Sequence, residues 1–395
     1  MEKPRITATA ATSDPEDTGQ RFSPEHLSSV DALRGIAALT VVCLHVTLVP
    51  SPHLGTPNWL RPLVLAGGTG VTMFFVVSAF TLSISWFSRK DGAHPIRNFY
   101  IRRLFRIVPL FYCLLAVTFF RDGYYWHVKH SVNEIVINAC MVFNLLPQYS
   151  TGIVWASWTI GVEMLFYLMF PLVVKAASRV ARLVVCFIAT LIVALIFYLG
   201  VQHTDLPADL RGQYVATGLA MHLPVFVLGI AAYALHRSKL FTQWGSVRVG
   251  GILVVMALIL HFAFSYGGIY YLGRSGADWS APAWVLLVLG LVMNPMWPIV
   301  NAVTRFYGRI SYSVYLNHPI IILLLMPHFP WVYRHVPDDG LAWFICFVAT
   351  LSVLTPWAFV TYRLIEQPGI RLGSRLIKSL ERPTTVGEPS VIVGK

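Results

Sequence analysis

The 395 residues carry a net charge of +12, are 56% hydrophobic and only 12% charged, with a mean hydropathy of +0.63. A soluble domain holds about 25% charged residues. Half that share, together with apolar runs of about 18 residues along the chain, excludes an ordinary water-soluble fold and points to lipid as the main solvent.

Residues 1–29 are rich in Ser, Thr, Pro and acids and lack an apolar core, so they read as a disordered cytoplasmic tail and not as a signal peptide. The first apolar span must then direct insertion itself. Helical spans are predicted at 33–50, 70–87, 104–120, 155–175, 183–200, 214–235, 249–266, 281–300, 311–329 and 341–362. The run 134–147 has about 14 residues, short for a crossing, and suits a re-entrant or interfacial segment. The predicted fold class is therefore all-α: a polytopic helical membrane bundle of ten crossings over residues 30–370, followed by a cytoplasmic tail, 371–395.

The basic residues test this topology. With the N-terminus in the cytoplasm and 134–147 not crossing, 23 of the 30 Lys and Arg fall inside and six outside, with Arg34 at the inner end of the first span. Cytoplasmic loops are enriched in Lys and Arg, so both termini are expected inside. The positive charge is then a topology signal, and no nucleic-acid partner is inferred. The five cysteines, Cys43, Cys113, Cys140, Cys186 and Cys346, lie in apolar runs without CxxC or zinc spacing and are expected to be small packing residues, so no metal site is predicted.

Charge in hydrocarbon is costly and usually functional or paired. In the spans it is confined to Arg34, His45, Glu163, His222, His261 and His318, with Asp31 at the entrance to the first. Arg34 and His45 are 11 residues apart; on a helix that is three turns plus about 20°, so the two share one face and lie about 16 Å apart along the axis. A guanidinium at the mouth forks onto phosphate, and an imidazole deeper in can act as a base. The bland alternatives are a positive-inside arginine and a histidine that bonds a neighbouring helix.

Three further clusters follow. In FYIRRLFRIVPLFY, Arg102, Arg103 and Arg106 line the start of the third span, where they suit either donor phosphates or lipid headgroups. In SWTIGVEMLFYLMFP, Glu163 lies two turns inside the span with Tyr167 on the same face, and a buried carboxylate needs a partner such as His45 or an arginine. Trp158 there reads as an interfacial aromatic. In RISYSVYLNHPI, Ser311, Tyr312, Ser313, Tyr315, Asn317 and His318 give one helix a polar side, either a helix contact or the wall of a cavity. His222 and His261 read as packing histidines.

In order and spacing these stretches resemble the acyltransferase 3 family of membrane O-acyltransferases. VDALRGIAALTVVCLHV is similar to the family's D-x-L-R-G-x-A-A opening with its Arg and His, here Arg34 and His45. FFVVSAF, RRLFR, SWTIGVEMLFY, SYSVYLNHP and RLIEQP resemble its later motifs, the last carrying Glu366. The resemblance covers about 30–370. It implies an enzyme of the cell membrane, multi-pass, that moves an acyl group, most often acetyl, from cytoplasmic acyl-CoA as co-substrate to a hydroxyl, often of a cell-surface carbohydrate and sometimes of a macrolide. It makes His45 and Glu163 the candidate catalytic residues and Arg34, Arg103 and Arg106 the acyl-CoA binders, with Asp31, Trp158, Tyr167, Tyr315 and His318 in support. The sequence departs from the pattern at Ala79, where the family usually has Gly and where wider helix packing is expected, and at Met164, which leaves Glu163 without the frequent second Glu. No SGNH hydrolase-like domain follows the spans, so any hand-off by such a domain is expected to be absent or supplied by another protein. The competing reading is a transporter or flippase of a lipid-linked glycan, although neither inverted repeats nor paired broken helices are visible.

Overall fold

The computed structural model describes residues 24–88, 93–177, 180–267 and 279–381. Most of the expected N-terminal tail, the end of the C-terminal tail and the topology-setting Lys3, Arg5, Arg21, Arg89, Lys90, Arg179, Arg274, Arg382 and Lys395 lie outside the described residues.

All regular structure described is helical. Helix α1 (Pro24–Leu48) is followed by the short α2 (Arg61–Leu65) and by α3 (Thr69–Ser88), then by α4 (Pro95–Tyr125) and the short α5 (Val132–Ala139). Next come α6 (Trp158–Ala176), α7 (Val180–Gln202), α8 (Ala208–Thr217), α9 (Leu219–His236), α10 (Lys239–Trp244) and α11 (Val247–Tyr266). The chain closes with α12 (Ala281–Met293), α13 (Ala302–Arg309), α14 (Ser311–Leu325), α15 (Phe329–His335), α16 (Asp339–Thr361) and α17 (Gln367–Leu380). A single π-helical turn, Tyr362–Glu366, joins the last two.

Among the described residues eight helices are long and apolar enough to cross a bilayer, or nine if the bent pair α13–α14 counts as one span. The protein is a multi-pass helical membrane protein. Two of the predicted spans differ in form. The span at 281–300 is helical for only 13 residues, because Pro295 and Pro298 withhold backbone donors and force the chain out of the helix after Asn294. The span at 311–329 is preceded by a 78° bend between α13 and α14. The run 134–147 forms the eight-residue α5 and two 3-10 turns; at 1.5 Å per residue α5 covers about 12 Å, well short of a crossing. The segment expected as a tail from 371 is helical through Leu380.

The helices divide into a core and a periphery. About half to two-thirds of the spanning windows of α1 and α3 are buried, against 11% for α7 and 17% for α11. In lipid there is no hydrophobic drive between helices, so close packing of small residues and polar bonds must hold the core. At the α1–α13 contact, a Cβ on Gly308 would sit 1.8 Å from the Asp31 carbonyl oxygen, and one on Gly35 would sit 2.1 Å from that of Thr304. The wider packing expected at Ala79 does not occur. Gly229 of α9 faces it, with a Cβ there falling 2.5 Å from the Val76 carbonyl oxygen, so the glycine that permits close approach is on the partner helix.

Polar bonds finish the core. Ser313 donates to Glu366 at 2.9 Å, Trp357 donates to Asn317 at 2.9 Å, and Trp343 donates to Thr47 at 2.8 Å. The cysteines do not all pack inside. Only Cys346 is buried, Cys43 and Cys186 are half-buried, and Cys113 and Cys140 are exposed, because a thiol is apolar enough to face hydrocarbon as readily as protein.

Candidate active site

Helix α1 packs against α3, α13, α14 and α16, which places it among the core helices. Arg34 and His45 project from it at different levels, into two environments.

At the Arg34 level the core opens into a cleft of about 60 Å³ walled by α1, α3, α4, α6 and α14. Arg34, Arg103, Arg106 and Glu163 line it, with Ser78 and Tyr167 beside the carboxylate. The Tyr312 hydroxyl donates to the Ile107 carbonyl at 2.7 Å and ties α14 to α4 beside the two arginines. Among the described residues Arg34, Arg103 and Arg106 form no ion pair. The Nε atoms of Arg34 and Arg103 are buried without any hydrogen-bond partner, and the Arg103 guanidinium lies over the rings of Phe99 and Tyr167, 5.8 Å from each centroid. Asp31, one turn before Arg34, makes no ion pair with it. Three guanidiniums sharing one cleft repel one another and lack their usual acceptors, so the arrangement favours a polyanionic ligand with oxygens to receive their N–H groups.

Glu163 has partners other than those expected. Ser78 donates to its Oε1 at 2.5 Å, and the Tyr167 hydroxyl donates to the same oxygen. His45 is not among its partners. The carboxylate is fixed on the cleft wall, where it faces the arginines.

At the other level, His45 meets His318 of α14. His45 Nδ1 lies 2.9 Å from the Val41 carbonyl oxygen, and His318 Nδ1 lies 2.5 Å from that of Tyr315. A carbonyl can only accept, so both Nδ1 atoms carry hydrogen. His318 Nε2, 3.3 Å from His45 Nδ1, is then an acceptor for the same N–H, and the rings lie 4.9 Å apart. His318 is fully buried and His45 half-buried. These bonds fix one tautomer and leave His45 Nε2 with a free lone pair, the state a general base needs.

Tyr315 stands between the two levels. It lines the cleft, accepts a hydrogen bond from Thr159 Oγ1 at 3.0 Å, and packs its ring 5.5 Å from that of His318. Trp158 is half-buried against the core, 5.5 Å from the His222 ring. His222 and His261 pack as expected, against Phe75 and Trp158 and against Trp284 respectively.

The profile of the acyltransferase 3 family, described as an acyltransferase domain, matches residues 27–363. The chain belongs to the acyltransferase 3 family. Its curated relatives are distant. A protein of Acidianus two-tailed virus provisionally named an acetyltransferase is 26% identical over 74% of this chain and 82% of its own length. A Staphylococcus aureus protein provisionally named an O-acetyltransferase is 23% identical over 91% of this chain and 60% of its own length. Nodulation protein 10 of Rhizobium leguminosarum bv. viciae is 26% identical over 90% and 96%. The chain therefore spans about 60% of the length of the staphylococcal relatives. No solved structure matches it.

As an acyltransferase 3 enzyme the protein must bring an acyl donor and a hydroxyl acceptor together. The sequence pointed to Arg34, Arg103, Arg106, Glu163, Tyr167 and Tyr315, and all six line one cleft; His45 and His318 pair beyond it. Sequence reading missed Ser78 and Thr159. Each is one of several hydroxyls in its segment, with Thr81, Ser83 and Ser85 after Ser78 and Ser157 before Thr159, and such residues usually bond a carbonyl of their own helix, so neither stands out until another helix faces it.

Proposed function

We propose that this protein is a membrane O-acyltransferase that moves an acetyl group from cytoplasmic acetyl-CoA to a hydroxyl of a cell-surface carbohydrate. The observation that carries the reading is the placement, along one face of α1, of a cleft holding three unpaired guanidiniums and of a tautomer-locked histidine beyond it. The donor's phosphates bind Arg34, Arg103 and Arg106 at the cytoplasmic end of the bundle in the inner, or plasma, membrane. Its extended arm carries the thioester towards His45, about 16 Å further along the axis.

His45 Nε2 then takes the proton of the acceptor hydroxyl. The oxygen bonds to the thioester carbon, the carbon–sulfur bond breaks, and the CoA sulfur leaves with that proton. His318 acts as a positioning residue that holds the His45 tautomer, and Glu163 orders the cleft through Ser78 and Tyr167. The provisional names of the viral and staphylococcal relatives support acetyl transfer. The test is mass spectrometry of surface glycans from cells that carry the protein or its His45→Ala variant. The expected result is an acetyl mass increment with the wild type only. The same increment with His45→Ala would refute the mechanism.

A further inference from the structure

The cleft and the histidine pair are neighbours, yet neither His45 nor His318 lines the cleft. Tyr315 separates them. Its hydroxyl is held by Thr159 at the start of α6, its ring meets Phe74 of α3 edge-on at 5.6 Å, and the same ring lies 5.5 Å from that of His318. Helices α3, α6 and α14 thus meet at one aromatic side chain that caps the cleft. The cap is 5% exposed, and the hydrogen bond gives it a fixed position.

We propose that Tyr315, latched by Thr159 and backed by Phe74, is the residue that selects which acyl group reaches His45. The inference rests on the reading of the cleft as the acyl-CoA site. Any acyl group travelling from the arginines to His45 must pass this ring, so the space left beside it limits the group's size. A short acyl chain needs only a small displacement of the ring, whereas a longer chain needs the Thr159 bond broken and Phe74 moved. Side-chain replacement leaves the Tyr315 carbonyl in place, so the bond that orients His318 is retained.

The experiment compares kcat/KM for acetyl-, butanoyl- and hexanoyl-CoA in the full-length enzyme and its variants. In Tyr315→Ala the ratio of hexanoyl to acetyl should rise by at least about tenfold, the scale on which hydrophobic pockets discriminate methylenes. Tyr315→Phe keeps the ring and loses the latch, so the ratio should rise by a smaller factor than in Tyr315→Ala, about threefold. Phe74→Leu, a milder change on another helix, should move the ratio in the same direction by a smaller factor and decides the matter if Tyr315→Ala fails to fold. An unchanged ratio, or equal loss with all three donors, would overturn the role of Tyr315. A wild-type enzyme that consumes no acyl-CoA would instead overturn the donor assignment on which it rests.

Discussion

The basic cleft and the histidine pair share α1 but are built in opposite ways. In the cleft, guanidiniums are gathered and left unpaired, with the Nε atoms of Arg34 and Arg103 buried and without partners. At the pair, three of the four ring nitrogens are engaged and one is spared. Unsatisfied cations suit the binding of a ligand that will supply the missing acceptors. A locked ring suits chemistry, since one lone pair is held ready at no reorganisation cost. The comparison assigns ground-state binding to one region and the reacting step to the other.

That division can be broken kinetically. The largest effect is expected for His45→Ala, with kcat falling by about 10²–10⁴-fold, the usual span of a general base, and KM for acetyl-CoA little changed. Arg34→Ala should act the other way. Removing one charge-assisted bond, about 1.5–3 kcal/mol, raises KM for the donor by about ten- to hundredfold and spares kcat. Arg34→Lys should restore only part of this because it lacks the planar fork. His318→Leu should lower kcat by about tenfold through loss of the tautomer lock, with CoA affinity intact; a change in KM alone would place His318 with the cleft.

Two smaller effects sharpen the contrast between the core and its edge. Gly308→Ala should lower stability by about 1–3 kcal/mol or more, because its Cβ would meet the Asp31 carbonyl and the displaced α1 carries both regions; thermal unfolding in detergent reads this. The smallest effect is expected at the edge. His130 lies 3.0 Å from Asp122 Oδ2 and 3.1 Å from Glu134 Oε2, clasping α5 to the end of α4. Burial alone would push this imidazole's pKa down, but its hydrogen bonds to Asp122 and then Glu134 outweigh burial and hold it above the ordinary value. A raised folded-state pKa contributes stability that is complete below the unfolded value, about 6.5, and is lost as pH rises through the folded value. Protection of the α5 amides from hydrogen exchange should therefore weaken on the alkaline side, and His130→Gln should abolish that dependence.

Much of this architecture was legible in the sequence because it depends on local pattern. Apolar run length found the helices, and the 3.6-residue period put Arg34 and His45 on one stripe. The early end of α12 was missed, since the span was expected to run to 300 although Pro295 and Pro298 interrupt it. What was not legible depends on which helices meet. Glu163 was expected to need His45 or an arginine, but a serine 85 positions earlier satisfies it. His318, 273 positions from His45, becomes its partner only because α14 packs against α1. Neither pairing leaves a periodic trace in the chain.

The most direct test measures kcat and KM for acetyl-CoA side by side in the wild type, His45→Ala and Arg34→Ala, each purified in detergent with helical content verified. Separate chemistry and binding predict that His45→Ala loses kcat at unchanged KM while Arg34→Ala gains KM at nearly unchanged kcat. Wild-type turnover by His45→Ala, or the same kinetic defect in both variants, would contradict the account.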